Sequence, residues 1–199
     1  MTSLQAKTAK AVAVLGVGKG LGRLISFVNT IILARILSPD DYGLMAMAMV
    51  VCGFITFFNE IGLGSAIIQR EKVTQAQLNG AFTIALFTSI GLYVATYISS
   101  PLVGQFYNNN DITGMLRWLA ASFVFGGLAT VSSALISKNM QFKALAGVEF
   151  ITIVVQALST LAFALLDYKA WSLVFGYVIS QLCRMVLVMF VARWLPTKL

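Results

Sequence analysis

Six apolar stretches, each of about 20 residues or more, follow one another with only short polar breaks between them. No other feature limits the fold as tightly. A helix needs about 20 mostly apolar residues to cross the hydrocarbon of a bilayer. In lipid its backbone N–H and C=O groups must also be satisfied within the segment, which leaves helices as the natural solution. The stretches cover about 12–37, 41–68, 79–106, 112–137, 144–166 and 169–194. The expected fold is therefore all-α: a polytopic membrane protein in which residues 1–199 form a single six-transmembrane-helix bundle. Composition agrees, with 59% hydrophobic and 11% charged residues and a mean hydropathy of +0.88. A soluble domain carries roughly 25% charged residues. So few charges cannot cover a water-facing surface, which argues against a soluble enzyme, a nucleic-acid module and a disordered regulator. The net charge of +7 then matters through its placement rather than its sum.

The breaks have the chemistry of helix ends. In Ser38-Pro39-Asp40-Asp41, Ser38 suits an N-cap, Pro39 the first helical position, and the aspartates the positive end of the next helix. After Gln69-Arg70-Glu71-Lys72, Thr74 and Gln77 have the spacing of a capping box. Asn108 to Asp111, Lys138 to Gln141, and Asp167-Tyr168-Lys169 mark the other breaks. Lys7 and Lys10 ahead of Ala11–Gly18 look like the start of a signal peptide. Lys19 and Arg23 interrupt that apolar run, and no small-residue cleavage site follows, so the segment reads as a retained first helix.

Basic residues set the expected orientation. With the N-terminus cytoplasmic, the inner segments hold Lys7, Lys10, Arg70, Lys72, Lys138, Lys143, Arg193 and Lys198. The outer loops hold only Arg35 and Lys169, together with Asp40, Asp41, Asp111 and Asp167. Both termini are thus expected in the cytoplasm.

Lys19, Arg23, Arg117 and Arg184 remain inside the spans, with Glu60 and Glu149. Such a residue costs at least about 2.5–3.5 kcal/mol on insertion scales, so it usually faces a cavity or a partner. At about 100° per residue, Lys19, Arg23, Ser26 and Thr30 share a stripe of the first helix. The small pairs Gly16/Gly20 and Gly18/Gly22 suit a helix-packing seam on the same element. A wet cavity face and a seam are both compatible with this helix. Thr56, Asn59 and Glu60 share a face of the second helix with Cys52. Glu149, Thr152, Gln156 and Thr160 align on the fifth, and Tyr177, Ser180 and Arg184 on the sixth. Lys19 and Glu60 come out at similar depth and have mutual pairing as their plainest account. Arg117, beside Trp118, reads as snorkelling to the interface. The surplus of span cations suits an anionic ligand, and arginine's planar fork suits phosphate.

Several motifs fail. Gly16 to Gly22 is glycine-rich, but Leu21 and Ala13 stand where dinucleotide and P-loop patterns need glycine. The chain has no histidine, and Cys52 and Cys183 lie in apolar runs as buried thiols. No metal site, cofactor or catalytic carboxylate pair is expected, and the chain does not read as an enzyme.

One pair of strings carries a resemblance. Ile32 to Gly43, with Ala34-Arg35, Leu37, Pro39 and Tyr42-Gly43, is followed by Asn59 to Arg70, with Glu60, Gly62-Leu63, Ala66 and Arg70. Together they resemble the bacterial polysaccharide flippases of the multidrug/oligosaccharidyl-lipid/polysaccharide exporter superfamily, nearest to the colanic-acid and teichuronic-acid exporter branch. The resemblance implies translocation of undecaprenyl-pyrophosphate-linked oligosaccharides across the bacterial inner membrane by alternating access, for surface polysaccharide synthesis. It implies two bundles around a basic cavity, of which this chain matches the N-terminal lobe only. Its partners would be the lipid-linked oligosaccharide, membrane lipids, a C-terminal lobe or second subunit, and polymerase machinery; nucleic acid is not among them. Lys19, Arg23 and Arg184 are then the pyrophosphate candidates. Ser26, Thr30, Thr56, Asn59 and Gln156 are the sugar-facing candidates, and Glu60 and Glu149 the candidates for ion coupling. Arg23 falls where related lipid flippases carry a cavity arginine, whereas Asn29 replaces a second basic residue. A multidrug antiporter of the same superfamily, a membrane sugar transferase or ligase, and a non-transporting remnant are the alternatives.

Overall fold

The computed structural model describes residues 20–59, 67–68 and 73–194, the side chains of 54–59 excepted. It contains α1 (Gly20–Leu33), α2 (Pro39–Asn59), α3 (Gln75–Phe106), α4 (Asn110–Lys138), α5 (Phe142–Leu165) and α6 (Ala170–Ala192), with no strand among the described residues. Helices α3 to α6 are each long and apolar enough to cross a membrane. The fold is a multi-pass helical membrane bundle. The inner part of the first expected span, and residues 60–66 of the second, lie outside the described residues.

The polar breaks do what their chemistry dictates. Ser38 donates from both its backbone N–H and its hydroxyl to Asp41 Oδ2, each at 2.8 Å, and Asp41 N–H returns to Ser38 Oγ at 3.3 Å. That reciprocal pair closes the first turn of α2, with Pro39 just inside it. Thr74 and Gln77 form the expected capping box at α3, with bonds of 3.1 and 3.4 Å. The three tight junctions after α3, α4 and α5 each turn through a left-handed residue: Asn108 (φ 51°), Met140 (φ 53°) and Asp167 (φ 61°). Connections this short keep successive helices antiparallel.

Helix α4 is the centre. Just over half of its apolar stretch is buried, against about a fifth for α3, α5 and α6. Its Ile112, Met115, Leu116, Leu119 and Phe123 pack with Ala48 and Cys52 of α2 and Val174 and Val178 of α6. Farther along, Val131 and Ala134 meet Leu78 and Phe82 of α3, while Ile136 meets Val148 of α5 and Val188 of α6. Leu33 and Leu37 bring α1 against Ala164 of α5. Lipid tails are as apolar as leucine, so close backbone approach, rather than water exclusion, holds such helices together. Two glycines make it possible: Gly127 of α4 sits against Ser89 and the Ala85 carbonyl of α3, and Gly176 of α6 sits against Thr160 of α5. Gly22 likewise faces Ile153 of α5, as a seam glycine would; Gly16 and Gly18 lie outside the described residues.

A long-range bond ties the start of α2 to the start of α6. Asp41, only 8% exposed, accepts the Ala170 N–H on Oδ1 at 3.0 Å. Ala170 opens α6, so the bond satisfies one of the donors that a helix start leaves without an intrahelical partner. Asp41→Ala removes both this acceptor and the α2 cap. It should lower stability by about 2–4 kcal/mol, seen as a lower melting temperature in detergent. Asp41→Asn keeps an acceptor and should lose less. Equal melting of Asp41→Ala and the parent would show that the staple contributes nothing.

Two details of the thiols and cations are fixed here. Cys52 is buried and Cys183 half-buried, and no disulfide joins them. Arg117 reaches sideways to α3: its Nε donates to Ser100 Oγ at 3.1 Å and its guanidinium lies 4.7 Å over the Tyr97 ring.

Candidate functional site

A cavity of about 370 Å³ lies between α1, α2, α5 and α6. That volume is within the range of small-molecule sites. Its polar lining comes from Ser26, Asn29 and Thr30 of α1, Tyr42 of α2, and Gln156 and Thr160 of α5. Met45, Met49, Ile153 and Leu173 form much of the apolar wall. Ser26, Thr30 and Gln156 are exposed at the mouth, and Leu33 and Thr160 are buried at the floor.

Local sequence explains the arrangement. Ser26 and Thr30 are one turn apart on α1, as are Gln156 and Thr160 on α5, so each helix contributes two successive polar turns. Thr30 Oγ1 is spent on the Ser26 carbonyl at 2.9 Å. Ser26, Asn29, Gln156 and Thr160 make no side-chain hydrogen bond within the protein among the described residues. The Tyr42 hydroxyl is fully buried and likewise has no partner. A buried polar group without a partner costs about 1–3 kcal/mol. Five uncommitted side chains around one hollow are therefore poised for a ligand or water that both donates and accepts. Among the described residues, no charged side chain lines the cavity. The chemistry offered is that of a neutral, many-hydroxyl group, bounded by apolar walls.

Three residues expected at the sugar, Ser26, Thr30 and Gln156, meet in this cavity. Arg23 lies one turn along α1 from Ser26, exposed, just beyond the lining. Arg184 is half-buried on α6 and does not line the cavity; on its stripe Gln181 Nε2 donates to Tyr177 Oη at 3.2 Å. Glu149 is half-buried on α5, seven residues before Gln156, about 10 Å along the axis, and also lies outside the lining. Neither arginine pairs with a carboxylate among the described residues. Lys19 and Glu60, with their mutual pairing, lie outside the described residues, as do the side chains of Thr56 and Asn59. Tyr42 had been read only as part of a family string, and Asn29 only as a missing cation. Their place in the wall follows from helix contacts that no single stripe encodes.

The sequence profile of a family described as polysaccharide biosynthesis protein matches residues 32–198. The chain is 26% identical over 191 residues to an uncharacterized membrane protein in the cps region of Klebsiella pneumoniae, covering 96% of this chain and 39% of that one. It is 24% identical to the lipopolysaccharide biosynthesis protein WzxC of Escherichia coli (strain K12), covering 92% and 36%. It is 30% identical to the teichuronic acid biosynthesis protein TuaB of Bacillus subtilis (strain 168), covering 61% and 24%. The chain thus spans two fifths or less of the length of these relatives. No solved structure matches it.

Proposed function

This chain belongs to the polysaccharide biosynthesis protein family, and from that membership we propose that it is the N-terminal lobe of a flippase that moves undecaprenyl-pyrophosphate-linked oligosaccharides across the bacterial inner membrane. The observation that carries the reading is the cavity between α1, α2, α5 and α6, whose described lining is polar and holds no charged side chain. Sugar hydroxyls donate and accept, so they match the uncommitted Ser26, Asn29, Tyr42, Gln156 and Thr160. The apolar wall packs against the C–H faces of the ring. Arg23 stands one turn beyond, where it receives the pyrophosphate, with Lys19 a further turn along the same sequence stripe. The prenyl tail stays in lipid. Thr56 and Asn59 extend the sugar path, Arg184 takes the phosphates later in the cycle, and Glu60 or Glu149 takes up a coupling cation or proton. No covalent step is required, so the chain acts as a carrier and not as an enzyme.

Both termini face the cytoplasm in this reading, because the basic residues between spans gather on that side. The exposed mouth residues Ser26, Thr30 and Gln156 are unsuited to acyl chains. They face a C-terminal lobe or second subunit, which the length of the relatives supports. Polymerase machinery receives the flipped unit.

The test is made in cells that supply the rest of the transporter. Arg23→Ala and Arg184→Ala should each cut surface polysaccharide by about tenfold or more, the worth of a charge-assisted hydrogen bond or two. Undiminished polysaccharide at normal expression would refute the phosphate assignment.

A further inference from the structure

Arg117 has a setting that the carrier reading does not use. Of its five N–H donors, one is given to Ser100 Oγ, and Nη1 and Nη2 have no acceptor among the described residues. No carboxylate neutralises it there. Its orientation is fixed from two sides. Ser100 is fully buried and donates its own proton to the Tyr97 carbonyl at 2.8 Å, so its lone pairs face Arg117. The Tyr97 ring lies beneath the guanidinium plane. Thr113 Oγ1 donates to the Ser100 carbonyl at 3.3 Å and locks α4 to α3 at the same level.

Depth identifies what meets the free fork. Helix α3 has 32 residues and is about 48 Å long, so it overhangs a hydrocarbon core of about 30 Å by about 9 Å at each end. Ser100 is six residues from the end of α3, also about 9 Å. The guanidinium is therefore held at the hydrocarbon boundary, just beneath the lipid phosphates. Toward the midplane, Val94, Ile90 and Phe87 continue the Tyr97 stripe as exposed apolar residues, a track for an acyl chain. The seam between α3 and α4 does not contribute to the cavity described above.

We propose that Arg117, oriented by Ser100 and Tyr97, binds the phosphate of an anionic phospholipid at the α3–α4 seam. The fork makes paired hydrogen bonds to two phosphate oxygens, and the ring stack holds its plane open to them.

The full chain in detergent is titrated with phosphatidylglycerol, with phosphatidylcholine of the same chains, and with inorganic phosphate, and bound lipid is counted by native mass spectrometry. Phosphatidylglycerol should be retained about tenfold better than phosphatidylcholine, and millimolar inorganic phosphate should not displace it. Arg117→Gln should erase the preference. Ser100→Ala and Arg117→Lys leave the charge but lose the fixed fork, and each should weaken retention several-fold; these two carry the test if Arg117→Gln does not fold. A preference unchanged in Arg117→Gln, or unchanged in both milder variants, overturns the proposal. Displacement by inorganic phosphate also overturns it, since the site would then take a free anion and not a lipid.

Discussion

Ala157→Trp should abolish binding of a lipid-linked oligosaccharide. Ala157 lines the cavity on α5 and is half-buried, between the polar Gln156 and the floor residue Thr160. An indole built there projects into the hollow of about 370 Å³ and takes the space of a sugar ring. The loss should exceed about a hundredfold in Kd, or ~2.7 kcal/mol, in a titration of the purified chain. The melting temperature should hold, because the new ring enters open space rather than a packed seam. Phe190→Trp is the matched control: Phe190 is 77% exposed on the lipid face of α6, and binding should not change. Unaltered binding by Ala157→Trp would remove the cavity from the proposed function. If Arg23→Ala then still lost binding, the phosphate contact would stand without it.

Adjacent glycines of α4 should respond in opposite directions. A Cβ on Gly127 would come to 3.0 Å from the Ala85 carbonyl oxygen and would run into the side chain of Ser89. The carbonyl belongs to helical backbone and cannot move aside, so α3 and α4 must part. Gly127→Leu should cost about 3 kcal/mol or more, with a clear fall in melting temperature. Gly126 has nothing within 4 Å of its added Cβ. There Gly126→Ala should gain about 0.5–1 kcal/mol from helix propensity alone. Similar destabilisation at both positions would mean that helix–helix contact at Gly127 is not what holds the pair.

The fold was legible because each physical signal in it is local. Apolar stretches long enough to span are read directly, and Ser38 with Asp41, or Thr74 with Gln77, act within one turn. Likewise, the stripe of Ser26 and Thr30 follows from helix geometry alone. What escaped depends on which helices touch. Stripes on α1 and α5 do not reveal that they share a hollow, or that Tyr42 closes it. The contact of Arg117 with Ser100 depends on a neighbour 17 residues away across a turn, which depth alone does not reveal. Arg184, expected beside Arg23 at the pyrophosphate, lies on a helix that gives the cavity only Leu173 among the described residues. Depth is written in one helix, whereas facing is written between helices.

The bond from Asp41 to Ala170 also has a bearing on synthesis. The acceptor is made 129 residues before its donor, so a ribosome releases Asp41 long before the helix it binds has been translated. Until the sixth helix emerges, that carboxylate has only Ser38 to occupy it. The contact between the starts of α2 and α6 is thereby deferred until the sixth helix is made. A chain arrested after the fifth helix would leave the first turn of α2 without its latch to α6.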